Sequence, residues 1–273
     1  MSGRYSNLDR PPLSAAALRR ALVRPGSMWS VLDVVNEAGS TNADLAAAAA
    51  SGASEGTVLI AESQVAGTGR MGRTWLAPPR AGLTFSVLLR PAGVPPARRG
   101  WLPLLAGIAV ADAVDELAQL PARLKWPNDV LISSCKLAGI LARAEGDAVV
   151  IGIGLNVTSR DDELPQGATS LAQQDAACID RDPMLRAILR GIEREYGGFS
   201  RAGGDADRSG VRERYLRRCE TTGSDVLVML PGGAELLGTA TGVDGDARLL
   251  VEAGDGVHAI AAGDVTHVRT AAP

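Results

Sequence analysis

Cysteine is scarce in this chain. Cys135, Cys178 and Cys219 are the three in 273 residues, odd in number and far apart, which fits neither a disulfide framework nor a zinc ligand set, so no structural metal is expected. Long apolar runs are missing as well. The longest, around Leu102 to Val114 and Val149 to Val157, are too short or too polar at their edges to span a bilayer. Met1 to Pro12 is polar and lacks the apolar core of a secretory signal, so the expected location is cytoplasmic, with no membrane partner. Neither sign of charge dominates: 28 Lys and Arg stand against 31 Asp and Glu, a net charge of −3 with no basic arm or tail. That balance argues against bulk nucleic acid as a partner and leaves room only for a local basic loop. Aromatic residues make up 3% of the chain, there are no internal repeats, and low complexity is confined to one alanine run.

What is present is ordinary globular composition, with 46% hydrophobic and 22% charged residues. The length favours one large domain followed by a small one. Ser14 to Val23 reads as a short helix and Trp29 to Asn36 as β-rich. Ser40 is a candidate N-cap for a helix with Asp44 in its first turn and Gly52 as its stop. Strands are predicted at Val58 to Glu62 and Leu83 to Arg90, a long helix at Trp101 to Leu120, and strands near Arg123 to Trp126, Lys136 to Ala144 and Ala148 to Asn156. The last two are joined by the turn Glu145-Gly146-Asp147. Thr158 to Gln174 is irregular, and Pro183 to Phe199 and Val211 to Cys219 are helical. From Gly223 the pattern changes to short strands, with turns at Pro231-Gly232-Gly233, Asp244-Gly245-Asp246 and Gly254-Asp255-Gly256, as in a small β-barrel of about five strands. The expected boundaries are 1–221 and 222–273, in an α+β fold whose main sheet is covered by helices.

Two stretches carry the chemistry. Lys125-Trp126-Pro127-Asn128-Asp129 makes a rigid corner with polar side chains, and a second cation, Lys136, returns at the head of Lys136-Leu137-Ala138-Gly139-Ile140-Leu141. Upstream, Gln64 to Arg73 holds Gly67, Gly69 and Gly72 with Arg70 and Arg73, a composition that lets backbone N–H groups and guanidinium forks wrap a phosphate. Together they point to chemistry on an acyl phosphate. Taken alone, each feature also has a plainer reading: Ser40-Thr41-Asn42 as a cap, Trp75 as a core plug, Asn128 and Asn156 as turn residues, Asp129 as a brace for the bend.

Ser40-Thr41-Asn42, Gln64 with the Gly67 to Arg73 loop, Lys125 to Asp129, Lys136 to Leu141 and Gly152-Ile153-Gly154-Leu155-Asn156 stand in the order and approximate spacing of bacterial biotin protein ligases, which the chain resembles from residue 38 onward. The resemblance implies a class II aminoacyl-tRNA synthetase-like catalytic sheet with an SH3-like C-terminal domain, and a monofunctional type without a winged helix-turn-helix. It implies that biotin and ATP, with Mg²⁺, form biotinyl-5′-AMP, and that the biotinyl group passes to a lysine of the carrier domain of an acyl-CoA or pyruvate carboxylase. It assigns biotin to Ser40, Thr41, Asn42, Gln64, Gly67, Thr68, Gly69, Arg70, Lys136 and Gly139. The nucleotide falls to Arg70, Arg73, Trp75, Asn128, Lys136 and Asn156. Catalysis falls to Lys136, Arg70 and Asp129, the last orienting or deprotonating the acceptor lysine. Thr68 departs from the pattern, since family members usually carry a basic residue there. A monomer or weak homodimer is expected.

Two other readings share these residues. A lipoate ligase or octanoyl transferase would move a different acyl group, and the transferase would need a nucleophilic cysteine, for which Cys135 alone lies near a motif. A biotin-adenylate-binding regulator would need a DNA-binding surface that the charge balance does not offer.

Overall fold

The computed structural model describes residues 10–268 apart from Leu76 and Pro231. The polar start before Arg10, Pro231 of the turn and the end of the second unit after Val268 lie outside the described residues.

Seven strands form the main sheet: β1 (Val31–Val35), β2 (Thr57–Ala61), β3 (Gly82–Leu89), β4 (Arg123–Lys125), β5 (Asp129–Ile132), β6 (Cys135–Glu145) and β7 (Ala148–Asn156), in the order β1-β2-β3-β7-β6-β5-β4. Only β1 and β2 pair in parallel, so the sheet is mixed and mostly antiparallel. Alternation assigns its two faces. Leu83, Phe85, Val87, Ile151, Ile153 and Leu155 join the principal core, which also takes in buried side chains of α3 (Trp101–Ala113) and α4 (Arg181–Arg201). Leu88 and Val150 point the other way and pack on α2 (Thr41–Ala50) through Leu45, Ala46 and Ala49. The helix α1 (Ala15–Leu22) is capped by Ser14 and buries Leu18 and Leu22, and α5 (Val211–Arg218) buries Val211 and Tyr215.

Five further strands, β8 (Asp225–Met229), β9 (Glu235–Val243), β10 (Leu249–Ala253), β11 (Gly256–Ile260) and β12 (Asp264–His267), form a separate antiparallel sheet in the order β11-β10-β9-β8-β12. This unit is not an appendage. Val226, Val228, Leu249 and Val251 belong to the same buried cluster as the main sheet. Two indoles tie it on: Trp101 Nε1 donates to Gly245 O at 2.9 Å and Trp126 Nε1 to Ala247 O at 3.1 Å.

The sequence reading needs three adjustments. The long helix is α-helical only to Ala113; Val114–Ala118 is a π-turn, and Gln119 ends it in the left-handed region with φ 57°. The helix predicted over Pro183 to Phe199 is longer, α4 running from Arg181, capped by Asp180, to Arg201. The apolar stretch after Asp129 is a strand, β5, joined to β6 by the two-residue turn Ser133-Ser134. Both serines have positive φ, 49° and 62°, a conformation that usually brings Asn-Gly to such turns, so the hairpin carries no familiar turn signal.

Candidate functional site

The register of the sheet builds the floor of one cavity of about 300 Å³. One transverse row runs Thr84, Gly154, Gly139, Asp129, and the next runs Ser86, Gly152, Leu141. Both rows lie on the α2 face. The glycines matter because other side chains lie where a Cβ would be. A Cβ on Gly154 would sit 2.3 Å from Trp75 Cε2, and one on Gly152 would sit 2.4 Å from Asn42 Oδ1.

At one end the start of α2 supplies an uncharged polar cluster. Gln64 Oε1 accepts from the Thr41 backbone N–H at 2.7 Å and lies 3.0 Å from Thr41 Oγ1. Asn42 Nδ2 donates to Leu141 O at 3.0 Å, which orients Oδ1 to accept from Ser86 Oγ at 2.8 Å. Ser86 Oγ is also 2.8 Å from Thr41 Oγ1. Ser40 caps the helix, its hydroxyl accepting weakly from Ala43 N at 3.5 Å, so the cap reading and the pocket reading of Ser40-Thr41-Asn42 hold together.

In the middle, Lys136 Nζ lies 2.6 Å from Asp129 Oδ1 and 5.8 Å from the centre of the Trp75 ring. Trp75 Nε1 is buried with no hydrogen-bond partner among the described residues, a donor aimed at the floor of the cavity. Asn128 lies on the rim, and its carbonyl accepts from Ile140 N at 2.9 Å.

The other end is cationic. The Gly/Arg loop folds as a small hairpin, Thr68 bridging Thr74 and Trp75 N donating to Gly67 O at 2.9 Å, with Met71 and Gly72 at positive φ, 54° and 72°. Thr68, Gly69, Arg70 and Arg73 line the cavity. The partners of the arginines come from the C-terminal sheet: Arg70 donates to Gly263 O at 3.1 Å and Arg73 pairs with Asp264. Burial lowers the affinity of Arg70 for its proton, while Asp264 and Asp129 favour the charged form; a guanidinium so placed stays charged at neutral pH.

The cavity therefore gathers Ser40, Thr41, Asn42, Gln64, Thr68, Gly69, Arg70, Arg73, Trp75, Asn128, Asp129, Lys136 and Gly139. Two expected residues stand apart. Asn156 is buried and donates through Nδ2 to Thr169 O at 3.0 Å, fixing a neighbouring segment instead of lining the cavity. Gly67 braces the loop: a Cβ there would meet Trp75 O at 2.5 Å and Gln64 Nε2 at 2.6 Å. Ser86 and Asp264 lie outside the motifs, and Gly152 and Gly154, though part of the motif Gly152 to Asn156, have no site role in the sequence reading. For Ser86 a signal existed, two hydroxyls two residues apart, Thr84 and Ser86, in the otherwise apolar run Leu83-Thr84-Phe85-Ser86-Val87-Leu88. Replacing Ser86 by alanine leaves buried Asn42 Oδ1 without its donor, at a cost of about 1–3 kcal/mol; thermal melts should show this loss, and ligand titrations a weaker grip at the polar end.

Comparison with known proteins agrees with the geometry. Residues 40–156 match the biotin/lipoate A/B protein ligase family, the class defined by this sheet and pocket, and residues 221–268 match the biotin protein ligase C terminal domain. The biotin–[acetyl-CoA-carboxylase] ligase of Mycobacterium tuberculosis is 45% identical, over 95% of this chain and 97% of its own. The Paracoccus denitrificans protein of the same name is 32% identical over 83% of this chain and 96% of its own. The structure of the Aquifex aeolicus biotin protein ligase in complex with biotin and ATP superposes with a TM-score of 0.74 at 28% identity, covering 89% of this chain and 100% of that one. The chain belongs to the biotin protein ligase family.

Proposed function

We propose that this cavity activates biotin with ATP as biotinyl-5′-AMP and delivers the biotinyl group to a lysine of a biotin carboxyl carrier domain. One observation carries the reading: a single cavity joins an uncharged polar cluster at Thr41, Asn42 and Gln64 to the cations Lys136, Arg70 and Arg73. A neutral ureido group fits the first and phosphates the second. The carboxylate of biotin attacks the α-phosphorus and pyrophosphate leaves. Lys136 and Arg70 offset the negative charge that accumulates there, and Arg73 meets the outer phosphates. Trp75 supplies a ring face for the bound adenylate. In the second step the acceptor lysine must lose a proton before its amine attacks the carbonyl and AMP leaves; of the two carboxylates that line the cavity, Asp129 beside Lys136 is read in that role and Asp264 as the partner of Arg73. Mg²⁺ is read as arriving on the phosphates of ATP, the usual mode for an ion that keeps several waters and binds through substrate phosphates.

The main sheet, mostly antiparallel with helices on both faces, supports the class II synthetase-like reading of the catalytic domain over 1–221. The short antiparallel strands that follow support the SH3-like reading of 222–273. We read the protein as cytoplasmic, a monomer or weak homodimer acting on carrier domains of acyl-CoA or pyruvate carboxylases. No described helix is long and apolar enough to cross a membrane. For carrier docking by edge contact, two edges are candidates among the described strands: β1, and the 141–145 half of β6, which runs past β5 and pairs with β7 alone. The outer edge of β4 is covered by Cys219 and by Glu220, which donates to Leu124 O at 2.8 Å, whereas β1 pairs with β2 alone among the described strands. The acyl transferase alternative finds no support in Cys135, which does not line the cavity.

Transfer of labelled biotin to a carboxylase carrier domain in the presence of Mg-ATP tests the reading; labelling by lipoate or octanoate but not by biotin would overturn the substrate assignment. The loop departure gives a second test. Thr68 faces the cavity beside Arg70, so Thr68→Arg adds a cation and is expected to slow escape of the adenylate several-fold, measured by trapping released intermediate in the absence of carrier.

A further inference from the structure

The N-terminal lead touches the roots of both segments that wall the cavity. Arg10 holds Glu163 with both guanidinium nitrogens, Nη2 to Oε2 at 2.6 Å and Nη1 to Oε1 at 3.3 Å, and Nη2 also donates to Thr158 O at 2.9 Å. Both side chains of the pair are 14% exposed. Next along the chain, Pro11 O accepts from Arg181 Nη2 at 2.6 Å, and Leu13 N donates to Glu62 Oε1 at 2.6 Å. Arg181 and Glu62 are themselves a buried pair at 2.6 Å. Glu62 stands where β2 gives way to the Gly/Arg loop, and its carbonyl accepts from Arg80 at the far end of that loop. Thr158 and Glu163 open the segment that returns to the cavity with Pro165. That segment then docks on Lys136 itself: Lys136 N donates to Gly167 O at 2.8 Å and Thr169 N to Lys136 O at 2.9 Å.

We propose that residues 10–13 act as a strap and that Arg10 is a positioning residue, fixing the 158–169 wall and through it the backbone of Lys136. This rests on the adenylating reading of the cavity for its kinetic consequence, though not for its structural one. The contacts are specific enough to carry it. A bidentate arginine fork on a carboxylate, with a carbonyl as third acceptor, fixes direction as well as distance. Glu163 is held below the usual carboxylate range chiefly by the Arg10 hydrogen bond, so the pair is charged at neutral pH. The inner end of the same segment is held by Asn156 on Thr169 O, and its own residues brace the outer end, Ser170 Oγ on Ser159 O at 2.7 Å and Arg160 on Glu163 at 3.1 Å; Arg10 is the tie that anchors Glu163 to the N-terminal lead. The polar cluster at Thr41, Asn42 and Ser86 is held by α2, β3 and Leu141 of β6, none of which Arg10 touches.

The test compares Arg10→Ala, Arg10→Lys and Glu163→Gln in the full chain. Hydrogen exchange without ligand is expected to rise across 158–168 and to stay unchanged in α2. KM for ATP in biotin-dependent pyrophosphate exchange should rise about tenfold for Arg10→Ala, with less effect for Arg10→Lys, while KM for biotin moves less than about twofold. Glu163→Gln removes the charge with little change of shape and should shift both readouts in the same direction, which keeps the test sound if Arg10→Ala folds poorly. Unchanged exchange at 158–168 in both Arg10→Ala and Glu163→Gln, or equal increases in the two KM values, would overturn the proposal. A wild-type protein with no biotin-dependent turnover would instead count against the adenylating reading, and the exchange measurement on the unliganded protein would still decide the role of the strap.

Discussion

Lys136→Ala is expected to slow formation of the biotinyl adenylate by about 100- to 1000-fold, the usual loss when a group aimed at developing charge is removed from an enclosed site. The reason is positional. Lys136 stands between the polar cluster and the arginine loop, its amino group 2.6 Å from Asp129 and facing the Trp75 ring. Arg70 shares this charge but is tied to Gly263 O, and Arg73 pairs with Asp264, so neither replaces the ammonium at the reacting oxygens. Two anions, the biotin carboxylate and the α-phosphate, must meet at this point, so their repulsion is left uncompensated without the ammonium. The loss should fall on kcat, because the charge it serves accumulates in the transition state. Single-turnover formation of labelled adenylate checks this; a rate within about tenfold of wild type would remove Lys136 from the chemical step.

Gly152→Ala is expected to raise KM for biotin at least about tenfold and to lower stability by about 1–3 kcal/mol. Its Cβ would stand 2.4–2.7 Å from all three terminal atoms of the Asn42 amide. That amide cannot swing aside cheaply, being fixed by Leu141 O on one side and Ser86 Oγ on the other. The backbone of Gly152 is ordinary strand, so the crowding alone decides the outcome. Displaced, Asn42 would lose both hydrogen bonds and carry Thr41 and Ser86 with it. Biotin titration and a thermal melt check the two effects together, and an unchanged affinity for biotin would show that the cluster does not receive it.

These two residues show how far the chain could be read in advance. Lys136 was legible because a cation at the head of an apolar run, next to a Trp-Pro corner, has few structural uses. The Ser40 cap and the Gly/Arg loop were legible from composition and local turn chemistry. Gly152 and Ser86 were not assigned to the site, because β3 and β7 are buried on both faces and their apolar runs, apart from Thr84 and Ser86, show no alternation from which a face could be read. Only the register reveals that Ser86 and Gly152 lie opposite one another beneath Asn42. Asn156 has the same parity as Gly154 and Gly152, yet Thr169 O, thirteen residues further along, takes its amide. Asp264 reaches the cavity through docking of the second sheet, a long-range event that no local pattern encodes. The β5 hairpin was missed because Ser133-Ser134 adopts a turn usually signalled by asparagine and glycine.

Exchange of labelled pyrophosphate into ATP by the wild-type protein, measured with biotin, with lipoate, with octanoate and with no acid, tests the central claim most directly. The expected result is exchange that requires biotin, because the reverse of adenylation can return label to ATP only when the acid bound at Thr41, Asn42 and Gln64 has been activated beside Lys136. Exchange with lipoate or octanoate in place of biotin, or none with any acid, would contradict the claim that this cavity activates biotin.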